Sequence, residues 1–293
     1  HVKRHSFPTR RSSDLLVGGL ALGSLTASAI EPPDAHAQRA RPRARGRARP
    51  VATAAPVILD STRTKMQSSD PHALEEALME LVQVGTPDAA EVVAQRLRRG
   101  LPRQLVVPFV ETLGVMRQPS AGPVLVEVAI VHRHVDVRVA AIRAIEACRP
   151  PGVADAVRGR LSDPSPNVRA AAAVALGTLR DRDAVDPLFR ALDRELFEAA
   201  PALASLVTDG EVTRLTGYLG RLPFDVMAPA LTELLAREDI TERRKLDLIA
   251  QLQEMGTSEV KVFLEQLADS IPASGRDARV RQAALDASLR IVD

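Results

Sequence analysis

The sequence predicts an all-α protein, an α-solenoid in which antiparallel helical hairpins stack one on the next. Three observations support this prediction: apolar residues recur at helical spacing, similar stretches return about every 31 residues, and no stretch shows the alternation typical of a β-strand. A hairpin of two short helices cannot bury its apolar face by itself, so neighbouring copies must cover it. We expect the repeats to span residues 70–293.

The clearest repeat unit covers residues 161–193. Apolar residues lie three or four positions apart across 168–179, which predicts a first helix with one buried stripe. A short turn of alternating Arg and Asp follows. A second helix then carries Val185, Leu188 and Leu192 on one face, so the unit is a helical hairpin.

Copies of this unit recur along the chain. A shift of 31 residues places the Val-Arg pair at 137–138 on the Val-Arg pair at 168–169, and the same Val-Arg-x-x-Ala opening returns at Val280. A shift of 121 residues, close to four units, aligns 101–113 with 222–234. Weaker hairpins are predicted at 72–99, 195–221 and 241–269. Together these units account for almost the whole repeat region.

The repeat unit resembles the HEAT repeat family in its short bacterial form, also called phycobilisome-lyase-like. The likeness depends on Asp-Pro-x-x-x-Val-Arg-x-x-Ala-x-x-Ala-Leu-Gly at 163–177, followed by Ala-Val-x-Pro-Leu at 184–188. It is strong over 134–193 and fair over 101–133 and 276–292. The resemblance implies a stack of two-helix units whose groove binds an extended partner.

The first 37 residues predict a leader that is separate from the fold. Residues 5–15 resemble the in-frame translation of a short-read sequencing adapter, so we interpret 1–15 as non-native; a genuine basic start of a signal peptide is the alternative. Residues 16–37 are typical of a signal-peptide apolar region and cleavage region, because the apolar run is shorter than the ~20 residues of a membrane span. We expect export to the periplasm or beyond, or else an inner-membrane anchor.

Residues 38–69 are expected to form a disordered linker. Arginine alternates with Pro, Ala and Gly between residues 39 and 49, a composition that cannot bury a core. Residues 38–50 serve either as a simple tether or as an arm that binds a membrane surface, anionic lipid or an anionic polymer. Residues 56–293 hold 29 Lys/Arg and 34 Asp/Glu, and this acidic balance argues against a body that binds nucleic acid specifically.

The sequence holds no recognisable motif for catalysis. A Gly-rich phosphate loop, His-Glu-x-x-His and Gly-x-Ser-x-Gly are all absent. Deoxyhypusine hydroxylases resemble this architecture but depend on His-Glu pairs for iron, and none of the six His residues precedes a Glu. Bilin lyases share the repeat, so a lyase-type enzyme stays as an unfavoured alternative. We expect no enzyme activity and no cofactor.

A pair of histidines and the single cysteine are potential chemical sites, but the sequence favours a structural interpretation of both. His132 and His134 lack a third ligand, so no metal site is expected there. The 31-residue shift places Cys148 on the apolar position Leu179, which predicts a buried and inert thiol.

The candidate binding residues come from helical phase. We expect second helices to line the groove, with five residues facing a partner. These residues are Arg158, Phe189, Arg190, Arg214 and Tyr218. The leading hypothesis is an exported, non-catalytic scaffold that binds a protein or peptide in this groove; an envelope-tethering module that acts through the Arg-rich arm is the alternative.

Three arginines that open first helices have a structural interpretation. The resemblance to HEAT repeats implies that Arg138, Arg169 and Arg281 bond an aspartate of a neighbouring turn, and Asp163 is suitably placed for this ladder.

Overall fold

The computed structural model describes residues 58–291, and over that range the chain is an α-solenoid with no β-strand longer than an isolated bridge. The predicted fold class is therefore confirmed. The predictions for residues 1–37, and for the Arg-rich arm at 38–50, lie outside the described residues. None of the described helices is both long enough and apolar enough to cross a membrane.

Fifteen α-helices are described, with short 3-10 turns between several of them. In chain order they are α1 (Asp60–Lys65), α2 (Pro71–Val84), α3 (Pro87–Arg99), α4 (Arg103–Met116), α5 (Gly122–Val124), α6 (Val135–Cys148), α7 (Ala154–Gly159), α8 (Pro166–Leu179), α9 (Val185–Leu192), α10 (Ala199–Leu206), α11 (Val212–Thr216), α12 (Phe224–Ala236), α13 (Glu242–Met255), α14 (Ser258–Ser270) and α15 (Ala278–Arg290). Helix α5 continues into a π-helical turn over Leu125–Ala129.

The helices alternate between two layers. In the first layer, formed by α2, α4, α6, α8, α10, α12 and α14, each helix packs against the next. The second layer consists of α3, α5, α7, α9, α11, α13 and α15. A helix of either layer therefore buries one face against its hairpin partner and another against the adjacent repeat.

The helices of the last repeats lie in other layers than the sequence pattern predicts. Thr241, the N-cap of α13, donates to Asp209 at the start of the α11 turn (2.9 Å), and α13 packs against α15. Helix α13 and the Val-Arg opening of α15 therefore lie in the second layer, although the sequence pattern predicted first helices. The reason is that α12 occupies the first layer and only a short link, residues 237–241, separates it from α13.

The close packing of the first layer depends on two glycines. A Cβ atom on Gly114 would lie 3.1 Å from the Cα of Ala144, and one on Gly177 would lie 3.0 Å from the Cα of Ala202. Each glycine faces an alanine on the next helix, so the backbones of neighbouring first-layer helices approach closely. The glycine of the Ala-Leu-Gly in the repeat motif thereby allows α8 and α10 to pack closely.

The solenoid begins earlier than predicted. Ile58 and Met66 are buried, and α1 packs against α2. Lys65 forms an ion pair with Glu80 (2.7 Å), and the hydroxyl of Thr62 donates to the same carboxylate. The expectation that the linker extends to residue 69 is therefore wrong at its C-terminal end, because this segment contributes apolar residues to the core of the first repeat.

Candidate functional site: a groove over the first layer

A groove with a volume of about 820 Å³ crosses α4, α6 and α8, all in the first layer. The sequence placed the partner-binding residues on the second helices, whereas this groove lies over first helices. Side chains from one face of each of the three helices line this groove: Val107, Glu111, Val135, Asp136, Val139, Ala140, Arg143, Glu146, Asn167, Ala170, Ala171 and Val174.

The floor of this groove is apolar and open to solvent. Val135 and Val174 are 39% and 43% exposed, and Val139 lies half-buried between them. Small side chains, Ala170 and Ala171, keep the floor flat along α8. The groove therefore brings exposed apolar side chains of α6 and α8 together on one surface.

Charged groups line the two sides of the floor. A hydrogen bond from Arg103 holds the pKa of Asp136 below its usual value, and Glu146 accepts a hydrogen bond from the Thr178 hydroxyl (2.9 Å). Glu111 and Arg143 have no hydrogen-bond or ion-pair partner within residues 58–291. The groove therefore offers one free anion and one free cation beside the valines.

The groove continues across α8, α10 and α12 in a second stretch of about 390 Å³. Val174 lines both stretches, so the surface is continuous over five first-layer helices. Arg149 and Arg180 lie along the second stretch, and it is also lined by Glu198, the N-cap of α10, and by Glu233 of α12.

Three of the five nominated partner residues, Phe189, Arg214 and Tyr218, contact one another in the second layer. The ring of Phe189 is 1% exposed and stacks with that of Tyr218 (centroids 6.1 Å apart), and the Tyr218 hydroxyl donates to Asp193 (2.6 Å). The Arg214 guanidinium lies 3.7 Å from the centre of the Phe189 ring and forms an ion pair with Asp186. Phe189 was expected to face a partner but is buried, because its ring packs against Arg214 and Tyr218.

The other two nominated residues, Arg158 and Arg190, differ in whether they form ion pairs. Arg158 forms ion pairs with Asp155 and Asp181, one within its own helix and one in the next repeat. Arg190 is exposed on α9 and has no partner in the described part of the chain. Of the five nominated residues, Arg190 and Arg214 keep substantial exposure, but neither lines the groove.

The three helix-opening arginines make different bonds. Arg138 binds both oxygens of Asp163 (2.9 and 2.8 Å), whereas Arg169 donates to the backbone carbonyls of Asp163 and Pro164, and Arg281 donates to that of Ala268. Burial disfavours ionisation of Asp163, but hydrogen bonds from Arg138 and the Ser165 N–H outweigh it, so the pKa of this carboxyl lies below its usual value. Arg138 and Asp163 thereby tie one first-layer helix to the turn before the next.

Neither the thiol nor the two histidines are among the residues that line the groove. Burial raises the pKa of Cys148 to about 11, and its thiol donates to the carbonyl of Leu113 (3.2 Å). The rings of His132 and His134 lie 5.3 Å apart, and burial, followed by the charge of His134, lowers the pKa of His132. Across residues 58–291, no group of three or more His, Cys, Asp or Glu side chains is arranged to hold a metal ion.

Helical phase on the first helices contained a signal for the groove. Val135 and Val139 are four residues apart on α6, as are Ala170 and Val174 on α8, and neither pair belongs to the buried stripe. A second apolar stripe on a helix of a repeat array points to an additional contact surface.

Comparison with known proteins supports the repeat assignment. Residues 122–207 match the family model described as HEAT repeats, so the resemblance is confirmed over the central units. No curated protein matches the chain. Among solved structures, human deoxyhypusine hydroxylase in complex with glycerol is similar over 79% of this chain and 94% of that chain, with 22% identity and a TM-score of 0.37. A likeness at that level carries no argument about activity.

Proposed function

We propose that this chain is a non-catalytic repeat scaffold that binds a protein or peptide partner in the groove over α4, α6 and α8. The match of the central units to HEAT repeats supports a scaffold, because stacked repeats form extended surfaces suited to elongated partners. The observation that carries the proposal is the exposed strip of Val135, Val139 and Val174 along the groove floor.

The dimensions of the groove suit a short peptide segment. Three neighbouring helices spaced about 8–10 Å apart span roughly 20 Å between the outer axes. An extended chain advances about 3.3 Å per residue, so about six residues cover that length. The floor has only Val and Ala side chains, which favours small or branched apolar residues in the partner, and the free Glu111 and Arg143 suit polar side chains beside them.

A capture experiment with matched variants tests this proposal. Val174→Glu places a charge on the groove floor, and Val262→Glu places the same charge on α14, at a valine of similar exposure (49%) outside the groove. We expect a protein captured from the envelope fraction by residues 38–293 to be captured equally by the Val262→Glu variant and lost with Val174→Glu. A Val174→Glu bait that recovers every protein in full amount would contradict the proposal.

Export of this scaffold is part of the same proposal and comes from residues 16–37 of the sequence. The tethering alternative comes from the arginines of residues 38–50. Baits covering 38–293 and 56–293 separate the two. Equal capture supports the groove, and capture by the longer bait only, lost at high salt, favours the arm.

A lyase-type enzyme is the remaining alternative, and it predicts a bound ligand. The purified chain would then show an absorption band from a co-purified chromophore. We expect no such band, and its presence would replace the scaffold proposal.

A further inference from the structure

Three arginines end successive first-layer helices in a backbone conformation that favours glycine. Arg117 after α4, Arg149 after α6 and Arg180 after α8 have φ angles of 51°, 46° and 55°. Elsewhere the chain uses glycine for the same left-handed cap, at Gly85 after α2 and Gly256 after α13. A side chain in this region costs free energy that glycine avoids, so arginine is the locally unfavourable choice at three consecutive repeats.

The side chains of these cap arginines, Arg117, Arg149 and Arg180, form no bond that would offset this cost. All three are exposed, and none has a hydrogen-bond or ion-pair partner within residues 58–291. Arg180 lies close enough to Asp239 to contribute to its lowered pKa, but the main cause of that shift is the hydrogen bond from Arg237. By contrast, Arg138 and Arg158 are fully paired.

Two of the cap arginines border a small pocket beside the groove. Arg149 and Arg180 enclose about 300 Å³ together with Pro150, Val153 and Leu179, and no acidic side chain lines this pocket. Both arginines also line the second stretch of the groove. The groove edge at the C-terminal ends of α6 and α8 is therefore basic, with apolar surface directly beside the guanidinium groups.

We propose that Arg117, Arg149 and Arg180 bind the carboxylates of an acidic, extended segment of a partner protein, one carboxylate per repeat. This inference rests on the proposed function, because Arg149 and Arg180 line the second stretch of the same groove and Arg117 ends the preceding first-layer helix. Neighbouring first-layer helices lie about 8–10 Å apart, so successive caps have that spacing. A polyproline II chain has three residues per turn and rises about 3.1 Å per residue, which places every third side chain on one side about 9 Å apart.

The surroundings favour a peptide over a continuous polyanion. Glu198 and Glu233 lie along the same stretch of groove as Arg149 and Arg180. A nucleic acid or an anionic bilayer would bring unbroken negative charge against these glutamates. A peptide with spaced carboxylates can pair with the arginines and present neutral residues to the glutamates.

Binding of a synthetic peptide tests this inference. The probe is a fluorescent, Pro-rich peptide with Glu at every third position, and the control peptide has Gln at those positions. We expect the full chain to bind the Glu peptide at least tenfold more tightly at low ionic strength. Replacing the cap arginines with glycine should weaken binding by roughly tenfold for each arginine removed, as expected for a charge-assisted hydrogen bond.

The glycine substitutions are suited to this test because they do not threaten the fold. Glycine relieves the left-handed cap, so the melting temperature of the Arg149→Gly/Arg180→Gly variant should equal or exceed that of the wild type. Arg149→Lys/Arg180→Lys keeps the charge and should retain part of the affinity. Arg190→Gln removes an exposed, unpaired arginine from the second layer and should leave binding unchanged.

Several results would overturn the inference. They are equal affinity of the wild type for the Glu and Gln peptides, unchanged affinity after the glycine substitutions, and cap-dependent binding of anionic phospholipid vesicles with no binding of the peptide. These results leave the Val174→Glu comparison intact, because that variant alters the apolar floor and none of the arginines. Loss of the groove function and loss of the arginine contacts are therefore separate outcomes.

Discussion

The two layers of the central repeats differ in how they use their polar and aromatic side chains. In the second layer, Arg158 and Arg214 form ion pairs with aspartates, and Phe189 and Tyr218 stack between α9 and α11. In the first layer, exposed valines cross the groove and three cap arginines have no partner in the described residues. Within the described residues, these second-layer side chains have partners in the molecule, whereas the three cap arginines of the first layer have none.

The largest expected effect concerns the core that both layers share. Leu176 of α8 and Leu188 of α9 are fully buried, one in each layer. Truncation of either to Ala should cost about 2–5 kcal/mol, because each leaves a cavity between close-packed helices. Urea unfolding measures the loss, and hydrogen exchange should show it mainly in the central repeats. Uniform loss of protection along the whole array would contradict local stabilisation.

Two aspartate substitutions compare the stabilisation by a buried ion pair of the first layer with that by an exposed ion pair of the second layer. Asp163→Asn leaves Arg138 without its partner at a site where the carboxylate is 2% exposed, and should cost about 3 kcal/mol. Asp186→Asn breaks an exposed pair with Arg214 and should cost about 0–1 kcal/mol. Chemical denaturation at neutral pH measures both. Equal losses would mean that the second-layer pairs are as important as the buried one.

The Arg138–Asp163 ion pair predicts a pH dependence of the stability of the fold. The pKa of Asp163 is lower in the folded state than in the unfolded state, so the folded state holds fewer protons there and stability is present above the unfolded pKa. Stability should fall as the pH drops below about 4, the usual aspartate range. Asp163→Asn should have a flatter stability profile over that acidic range than the wild type. An identical profile would show that other carboxyls control the acid transition.

Glycine-to-alanine changes test the close approach of first-layer helices. Gly177→Ala adds a Cβ only 3.0 Å from the backbone of Ala202 and should cost roughly 1–3 kcal/mol through strain. Gly159→Ala, in α7 of the second layer, meets no atom within 4 Å and should stabilise the helix by about 0.5–1 kcal/mol. Thermal unfolding of the two variants should show shifts of opposite sign.

A gain in stability is expected where a helix cap changes to glycine. Arg180→Gly should stabilise the fold by about 1 kcal/mol, because glycine adopts the left-handed cap without steric cost. Glu195→Gly, which follows α9 with φ 64°, should give a similar gain in the second layer. Only Arg180→Gly should weaken binding of the acidic peptide. A destabilised Arg180→Gly variant would indicate that the arginine has an internal structural role.

The sequence by itself determined the all-α class, the period of about 31 residues and most of the core. These features are local: the spacing of apolar residues within one helix predicts the buried stripe that contains Leu176 and Leu188, and both are fully buried. The Asp163–Arg138 bond was also suggested by the motif, since the aspartate of one turn lies near the arginine of the preceding repeat.

Only the tertiary structure decided which layer has the groove and which side chains remain free. Helical phase treats a helix as having one buried face, but a stacked helix has two, so Phe189 is buried against α11 although it lies beside the stripe. The groove depends on how closely the first-layer helices approach, and this distance is set by contacts such as that between Gly177 and Ala202. Such contacts join residues that are far apart in the chain, and the periodicity of a single helix carries no information about them.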